Sequence, residues 1–190
     1  MQDKIEVRWH GRGGQGAKTA AQFLAEAALE AGKFIQAFPE YGPERAGAPM
    51  RAYTRISSEP ITIHSGVINP EAVVVIDPTL LSNMDIVDGL GKDGILLVNT
   101  QESPEAVRKK LNFNKGKVVT IDATKIALET LGLPMPNMPM LGALIKVNPI
   151  VPLEAIIESI RHKFLKKIGE EKTNANIAGI KRAYEETKVG

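Results

Sequence analysis

The stretch that most constrains this chain is Ile5 to Gly32, which reads as strand, glycine turn and helix. Gly11-Arg12-Gly13-Gly14-Gln15-Gly16 places glycines at the three positions of a G-x-G-x-x-G pattern. It follows Ile5-Glu6-Val7-Arg8-Trp9-His10 directly and precedes an alanine-rich run. Glycine tolerates positive φ and lets a ligand approach the backbone closely. The following helix offers free N–H groups and the positive end of its dipole to an anion. The motif is therefore a candidate phosphate loop, and it serves equally as a turn that lets strand and helix pack closely. The strand before it is unusual for a buried parallel sheet, where near-continuous apolar runs are the rule. Ile5, Val7 and Trp9 alternate with Glu6, Arg8 and His10, so one face of this strand is expected to meet water or another protein.

At 190 residues the chain suits one domain, 1–190, with room for a substantial core. Hydrophobic residues at 43% and charged residues at 24% exclude a disordered chain. A net charge of +2, without a dense basic stripe, gives no basis for nucleic-acid binding. There is no cysteine, which excludes a disulfide, a thiolate nucleophile and a cysteine-ligated iron–sulfur cluster on this chain. No apolar run approaches the roughly 20 residues that span a bilayer, and the amino terminus lacks a signal-peptide pattern. The expectation is a cytoplasmic protein with no membrane partner.

Ala17 to Ala31 has helical periodicity and ends at Gly32, a good C′ residue. Lys33 to Phe38 reads as the next strand. Pro39 to Pro49 is too rich in proline and glycine for regular structure, and it carries Glu40, Tyr41, Glu44 and Arg45 on a stiffened backbone. Met50 to Ser57 alternates like a half-exposed strand, and Ile61 to His64 is expected to continue the sheet. Ala72 to Asp77 is a solid apolar strand whose carboxyl end, Asp77-Pro78, is the functional end of a central parallel strand. Gly94–Asn99 and Lys117–Asp122 repeat that pattern. A helix from Ser103 to Leu111 lies between them and another follows from Ala123 to Leu131. Pro134 to Met140 reads as a second proline-studded loop, and Pro152–Lys167 and Thr173–Thr187 as closing helices. The expected fold is a three-layer α/β/α sandwich with a largely parallel sheet, antiparallel additions and a Rossmann-like glycine turn after the first strand.

The histidines His10, His64 and His162 have no metal-ligand spacing. His10 stands beside the glycine loop without a visible nucleophile to serve. Arg12, Lys18, Arg45, Arg51 and Arg55 are the cations expected to gather near that loop, arginine's fork being suited to phosphate.

His10-Gly11-Arg12-Gly13-Gly14-Gln15-Gly16, Thr19-Ala20-Ala21 and the run from Ala37 to Pro49 resemble the gamma subunits of pyruvate:ferredoxin oxidoreductase (pyruvate synthase), within the 2-oxoacid:ferredoxin oxidoreductases. Asp77-Pro78, Asn137 to Ala143 and Asn174-Ala175-Asn176 with Gly179 and Ala183-Tyr184-Glu185 extend the resemblance over nearly the whole chain. Ala46 departs from it, standing where relatives carry a second arginine. The resemblance implies an accessory, non-catalytic subunit of an enzyme that interconverts pyruvate plus coenzyme A with acetyl-CoA plus CO2 and passes electrons to ferredoxin. It implies alpha, beta and delta partner subunits, with thiamine diphosphate between alpha and beta and iron–sulfur clusters on beta and delta. This chain alone would hold no cofactor. Gly11, Arg12, Gly13, Gly14, Gln15 and Gly16 would face the coenzyme A region with Arg45 in support. Two alternatives stand beside this. One is a gamma subunit of a 2-oxoisovalerate or 2-oxoglutarate enzyme. The other is a free-standing dinucleotide-binding oxidoreductase, with Glu40 at the offset of a ribose-binding acid.

Overall fold

A computed structural model describes residues 4–41, 47–82 and 84–189. Strands β1 (Lys4–Arg12), β2 (Phe34–Tyr41), β3 (Pro49–Ser57), β4 (Ala72–Val75), β5 (Ile95–Asn99), β6 (Lys117–Ile121) and β7 (Lys188–Val189) form one sheet. Their order is β2-β3-β1-β4-β5-β6-β7. The neighbours β1, β4, β5 and β6 run parallel, while β3 is antiparallel to both β1 and β2, and β7 to β6. The sheet is thus parallel at its centre with antiparallel strands at both sides.

The helices are α1 (Ala17–Glu30), α2 (Pro104–Lys110), α3 (Ala123–Leu131), α4 (Asn137–Val147), α5 (Leu153–Ile168) and α6 (Glu170–Glu186). Five of them cover one face of the sheet. α1 presents Ala17, Ala20, Ala21, Ala27 and Ala28, all fully buried, and these small side chains let it lie close to the strands. α4 is apolar all round and buried from Asn137 to Ile145, enclosed by its neighbours as such a helix must be. The other face is thinner, with α2 and two 3-10 turns, Pro78–Ser82 and Met84–Val87, over Val73, Val75, Leu96, Val98 and Val118. The result is three unequal layers.

Local chemistry explains the element ends. Ser103 caps α2 by accepting from the Ala106 N–H, and Asp122 caps α3 by accepting from the Lys125 N–H. Gly132, at φ 73°, closes α3 in the left-handed region that glycine enters freely.

The fold corrects five sequence expectations. The polar side of β1 does not meet water: Glu6, Arg8 and His10 are 7%, 5% and 4% exposed. Likewise β3 is not half-exposed, since Tyr53, Arg55 and Ser57 are buried along with Ala52, Thr54 and Ile56. The cause is mutual neutralisation under a cover. Register places Arg55 opposite Glu6, and the chain between β3 and β4 supplies carbonyl oxygens above them. That covering chain includes Ile61–His64, which is irregular and adds no strand. Regular structure also enters both proline-rich runs, the first of which lies outside the described residues from 42 to 46. β2 continues through Pro39 to Tyr41, because an edge strand tolerates a missing donor. α4 begins at Asn137 with Pro139 in its first turn, where the lost N–H has no helical partner.

Candidate functional site

The chain leaves β1 through α1 on one face of the sheet and leaves β4 through the 3-10 turns on the other. β1 and β4 are adjacent and parallel. Their carboxyl ends therefore flank a topological switch point, the place where open α/β sheets bind ligands. The glycine motif and Asp77 meet in that crevice.

Gly11 and Arg12 still belong to β1, paired with Met50 and Pro49. The turn proper is Gly13-Gly14-Gln15, with Gly14 at φ 96° and Gly16 at φ 81°, both in the left-handed region. Side chains add a reason for Gly16: a Cβ there would lie 2.6 Å from Cγ of Asn137, which donates to the Gly16 carbonyl at 3.3 Å. Much of the loop's donor capacity is already used. The Arg12 N–H donates to Oε1 of Gln15 at 2.7 Å, the Gly13 N–H to the Ala48 carbonyl and the Gln15 N–H to the Arg12 carbonyl. The first turn of α1 is different. It has no side-chain cap, and Lys18 is exposed beside it, so the anion-attracting end of this motif is the helix rather than the loop.

Asp77 lies beneath the loop. Oδ1 accepts from the N–H and hydroxyl of Thr79 at 2.9 and 2.6 Å. Oδ2 accepts from Nε2 of Gln15 at 2.7 Å and Nε of Arg12 at 3.2 Å. Desolvation pushes this carboxyl upward, but the hydrogen bonds from Thr79 and Gln15 and the Arg12 charge outweigh it and hold the group below its ordinary range. Arg12 also donates to the Gly47 carbonyl and to Thr79 Oγ1. Asp77 was legible as a strand end, but its partnership with Gln15, 62 residues away, had no signal in sequence spacing.

Of the residues predicted for the site, Gly11, Arg12, Gly13, Gly14, Gln15 and Gly16 are contiguous here, while Arg45 lies outside the described residues. Of the cations expected near the loop, Arg12 belongs to it and Lys18 lies in the first turn of α1. Arg51 pairs with Asp85, and Arg55 lies farther along β3, paired with Glu6. Glu40 sits on the edge strand, separated from β1 by β3, and accepts from the Tyr53 hydroxyl. It is not beside the glycine loop, as a ribose-binding acid would be. A separate open hollow of about 420 Å³ lies at the carboxyl ends of β5 and β6, lined by Thr100, Gln101, Asp122, Lys125 and Glu186 among others.

His10 faces away from the loop into the buried polar layer. Its Nε2 accepts from Nε of Arg8 at 3.0 Å, and Arg8 also donates to the carbonyls of Ile86 and Asp88. Burial, together with the charges of Arg8 and Arg51, lowers the His10 pKa to about 3 from 6.5. Between these values the unfolded chain binds a proton that the folded chain refuses. This contribution to stability is therefore complete above the ordinary histidine range and erodes as pH falls, by at most about 1.4 kcal/mol per unit. Gln in place of His10 keeps an acceptor for Arg8 and is expected to remove that slope. Urea unfolding of both forms at about pH 7 and about pH 5 checks it.

Among the described residues no group of three or more His, Asp or Glu is placed to hold a metal ion. No helix there is long and apolar enough to cross a membrane. The sequence profile of the Pyruvate ferredoxin/flavodoxin oxidoreductase family matches residues 6–186. The chain is 60% identical to pyruvate synthase subunit PorC of Thermotoga maritima, over 97% of this chain and 95% of that one. It is 49% identical to the common gamma subunit of the pyruvate/ketoisovalerate oxidoreductases of Pyrococcus furiosus, over 97% and 98%. The crystal structure of pyruvate oxidoreductase subunit PORC from Thermotoga maritima superposes with a TM-score of 0.88 at 55% identity, covering 98% of each chain. A 2-oxoglutarate:ferredoxin oxidoreductase of Magnetococcus marinus shares the fold alone, at 21% identity and a TM-score of 0.78, within 30% of its longer chain. With its profile matched almost end to end and its fold shared by a close relative, the chain belongs to the pyruvate ferredoxin/flavodoxin oxidoreductase family.

Proposed function

We propose that this chain is the gamma subunit of a pyruvate:ferredoxin oxidoreductase working in the cytoplasm. Its assembly interconverts pyruvate plus coenzyme A with acetyl-CoA plus CO2 and exchanges electrons with ferredoxin. The observation that carries this reading is the 60% identity to the Thermotoga maritima pyruvate synthase subunit across nearly the full length of both chains. A chain without cysteine cannot ligate iron–sulfur clusters through thiolates. In this reading those clusters and thiamine diphosphate belong to alpha, beta and delta partners, and this chain, as one 1–190 unit, is accessory.

The glycine segment Gly11–Gly16 faces the coenzyme A region in the assembly. Because the N–H groups of Arg12, Gly13 and Gln15 are already satisfied, phosphate attraction falls to the first turn of α1 and to Lys18. Arg45 is the supporting cation. A tagged chain purified anaerobically from its native cells is expected to bring partner chains, iron and thiamine diphosphate, and to reduce ferredoxin with pyruvate only when coenzyme A is supplied. Recovery as a lone, iron-free chain sinks the reading.

A second reading, that one gamma chain serves two enzymes, is favoured by the Pyrococcus furiosus relative, which is named a common subunit. Two separable partner sets, one active on pyruvate and one on 2-oxoisovalerate, are its expected signature.

A further inference from the structure

The switch-point crevice contains a carboxylate, Asp77, beneath the glycine turn. Asp77 is almost enclosed, its side chain 9% exposed, and its two oxygens accept four donors. One oxygen ties it to its own turn through Thr79. The other crosses the crevice from β4 to the glycine turn and takes both Gln15 and Arg12.

Gln15 is matched to that position. Its amide oxygen accepts the Arg12 N–H while its amide nitrogen donates to Asp77, so donor and acceptor are both needed, and the two ends of the amide supply one each. The bridge folds Gln15 back over Gly11, where a Cβ would lie 3.4 Å from Oε1. It also spends the Arg12 guanidinium on Asp77, Thr79 and Gly47 instead of leaving it for a ligand.

Resting on the coenzyme A reading above, we propose that Asp77 is a positioning residue for the glycine loop. Through Gln15 and Arg12 it sets the opening ahead of α1, so that the helix N-terminus and Lys18, not Arg12, meet the anionic part of coenzyme A.

The test is a reciprocal exchange in the whole multi-subunit enzyme, purified through a tag on this chain. Asp77→Asn sets an NH2 group against donors, because one amide oxygen replaces the two that four donors require. Gln15→Glu sets one carboxylate against another. Each alone is expected to raise the KM for coenzyme A about tenfold or more, the scale of a lost hydrogen bond to a charged group, with the KM for pyruvate unchanged.

The double variant Asp77→Asn/Gln15→Glu restores the pattern with the charge moved. The carboxylate now at position 15 would accept from the Arg12 N–H, the Arg12 guanidinium and the amide now at position 77, while the oxygen of that amide accepts from Thr79. Its KM for coenzyme A is expected to return to within about threefold of the parent, a recovery beyond additivity for coupled neighbours.

Lys18→Ala separates the two possible failures. If it raises the KM for coenzyme A while Asp77→Asn leaves it within about twofold of the parent, the positioning role is overturned and the coenzyme A reading stands. If neither variant changes that KM, both fall. A uniform loss of kcat that the double variant does not recover makes Asp77 a general support of the fold, and also overturns the role. Should Asp77→Asn not assemble, Gln15→Leu removes the bridge without touching the strand end. It must raise the KM for coenzyme A for the role to survive.

Discussion

Replacing Arg55 with methionine is expected to lower the unfolding free energy of the chain by about 3–5 kcal/mol, the cost of leaving one partner of a buried ion pair behind. Arg55 is 1% exposed and lies under the chain that joins β3 to β4. Its Nε donates to Oε1 of Glu6 at 2.5 Å, one Nη to Gln36 at 3.0 Å and the other to the Gly66 carbonyl at 3.2 Å, with Phe38 against the guanidinium. Methionine fills much of the same volume, so little of the loss comes from a cavity. What remains is the Glu6 carboxylate, 7% exposed, with Lys4 at 3.1 Å as its remaining cation among the described residues.

The pair itself is worth much less than that loss. Removing both charges, with Glu6→Gln added to Arg55→Met, is expected to recover at least half of it, because desolvating two ions offsets most of their attraction. Urea unfolding of the parent, both single variants and the double variant measures the coupling directly. Additive losses would show that Arg55 acts through packing and its carbonyl contacts instead.

The same residues show where sequence reasoning stops. Alternation along Ile5–His10 and Met50–Ser57 correctly marks strands, and correctly assigns Glu6, Arg8 and His10 to one side. The next step takes a polar face as one that meets water or another protein. That step fails when two charged faces are brought into register on neighbouring strands, because Glu6 and Arg55 satisfy each other, and register is a property of the sheet rather than of either segment. By contrast α2 and α3 were legible to within a residue. Ser103, Asp122 and Gly132 act within four residues of the helix ends they define, so no distant partner had to be known. The candidate site divides in the same way. Gly11–Gly16 is a local signal, while the Asp77 bridge depends on β1 and β4 becoming neighbours. Proline usually breaks a helix, yet Pro139, within the first turn, removes only a donor that has no helical partner.

Gly142→Ala is the second large effect expected, and two opposing magnitudes decide its sign. In a helix interior, alanine is favoured over glycine by about 1 kcal/mol, so propensity alone predicts stabilisation. Gly142, however, lies where α4 crosses α6. A Cβ there would stand 2.9 Å from the carbonyl carbon of Ile180 and 3.0 Å from its Cα. These are backbone atoms of a packed helix and cannot rotate aside as a side-chain tip can. α6 would have to move off, loosening Ile177, Ile180 and Ala183 from the core. Overpacking costs about 1–3 kcal/mol in ordinary cores and more against backbone. The net expectation is a loss of at least about 2 kcal/mol, which for a chain of this size lowers Tm by about 4–8 °C. Gly91→Ala is the matched control, since a Cβ there meets nothing within 4 Å, and its effect should lie within about 0.5 kcal/mol of the parent. A stabilised Gly142→Ala chain would mean that the two helices have slack at their crossing. Propensity, not close approach, would then be what glycine costs there.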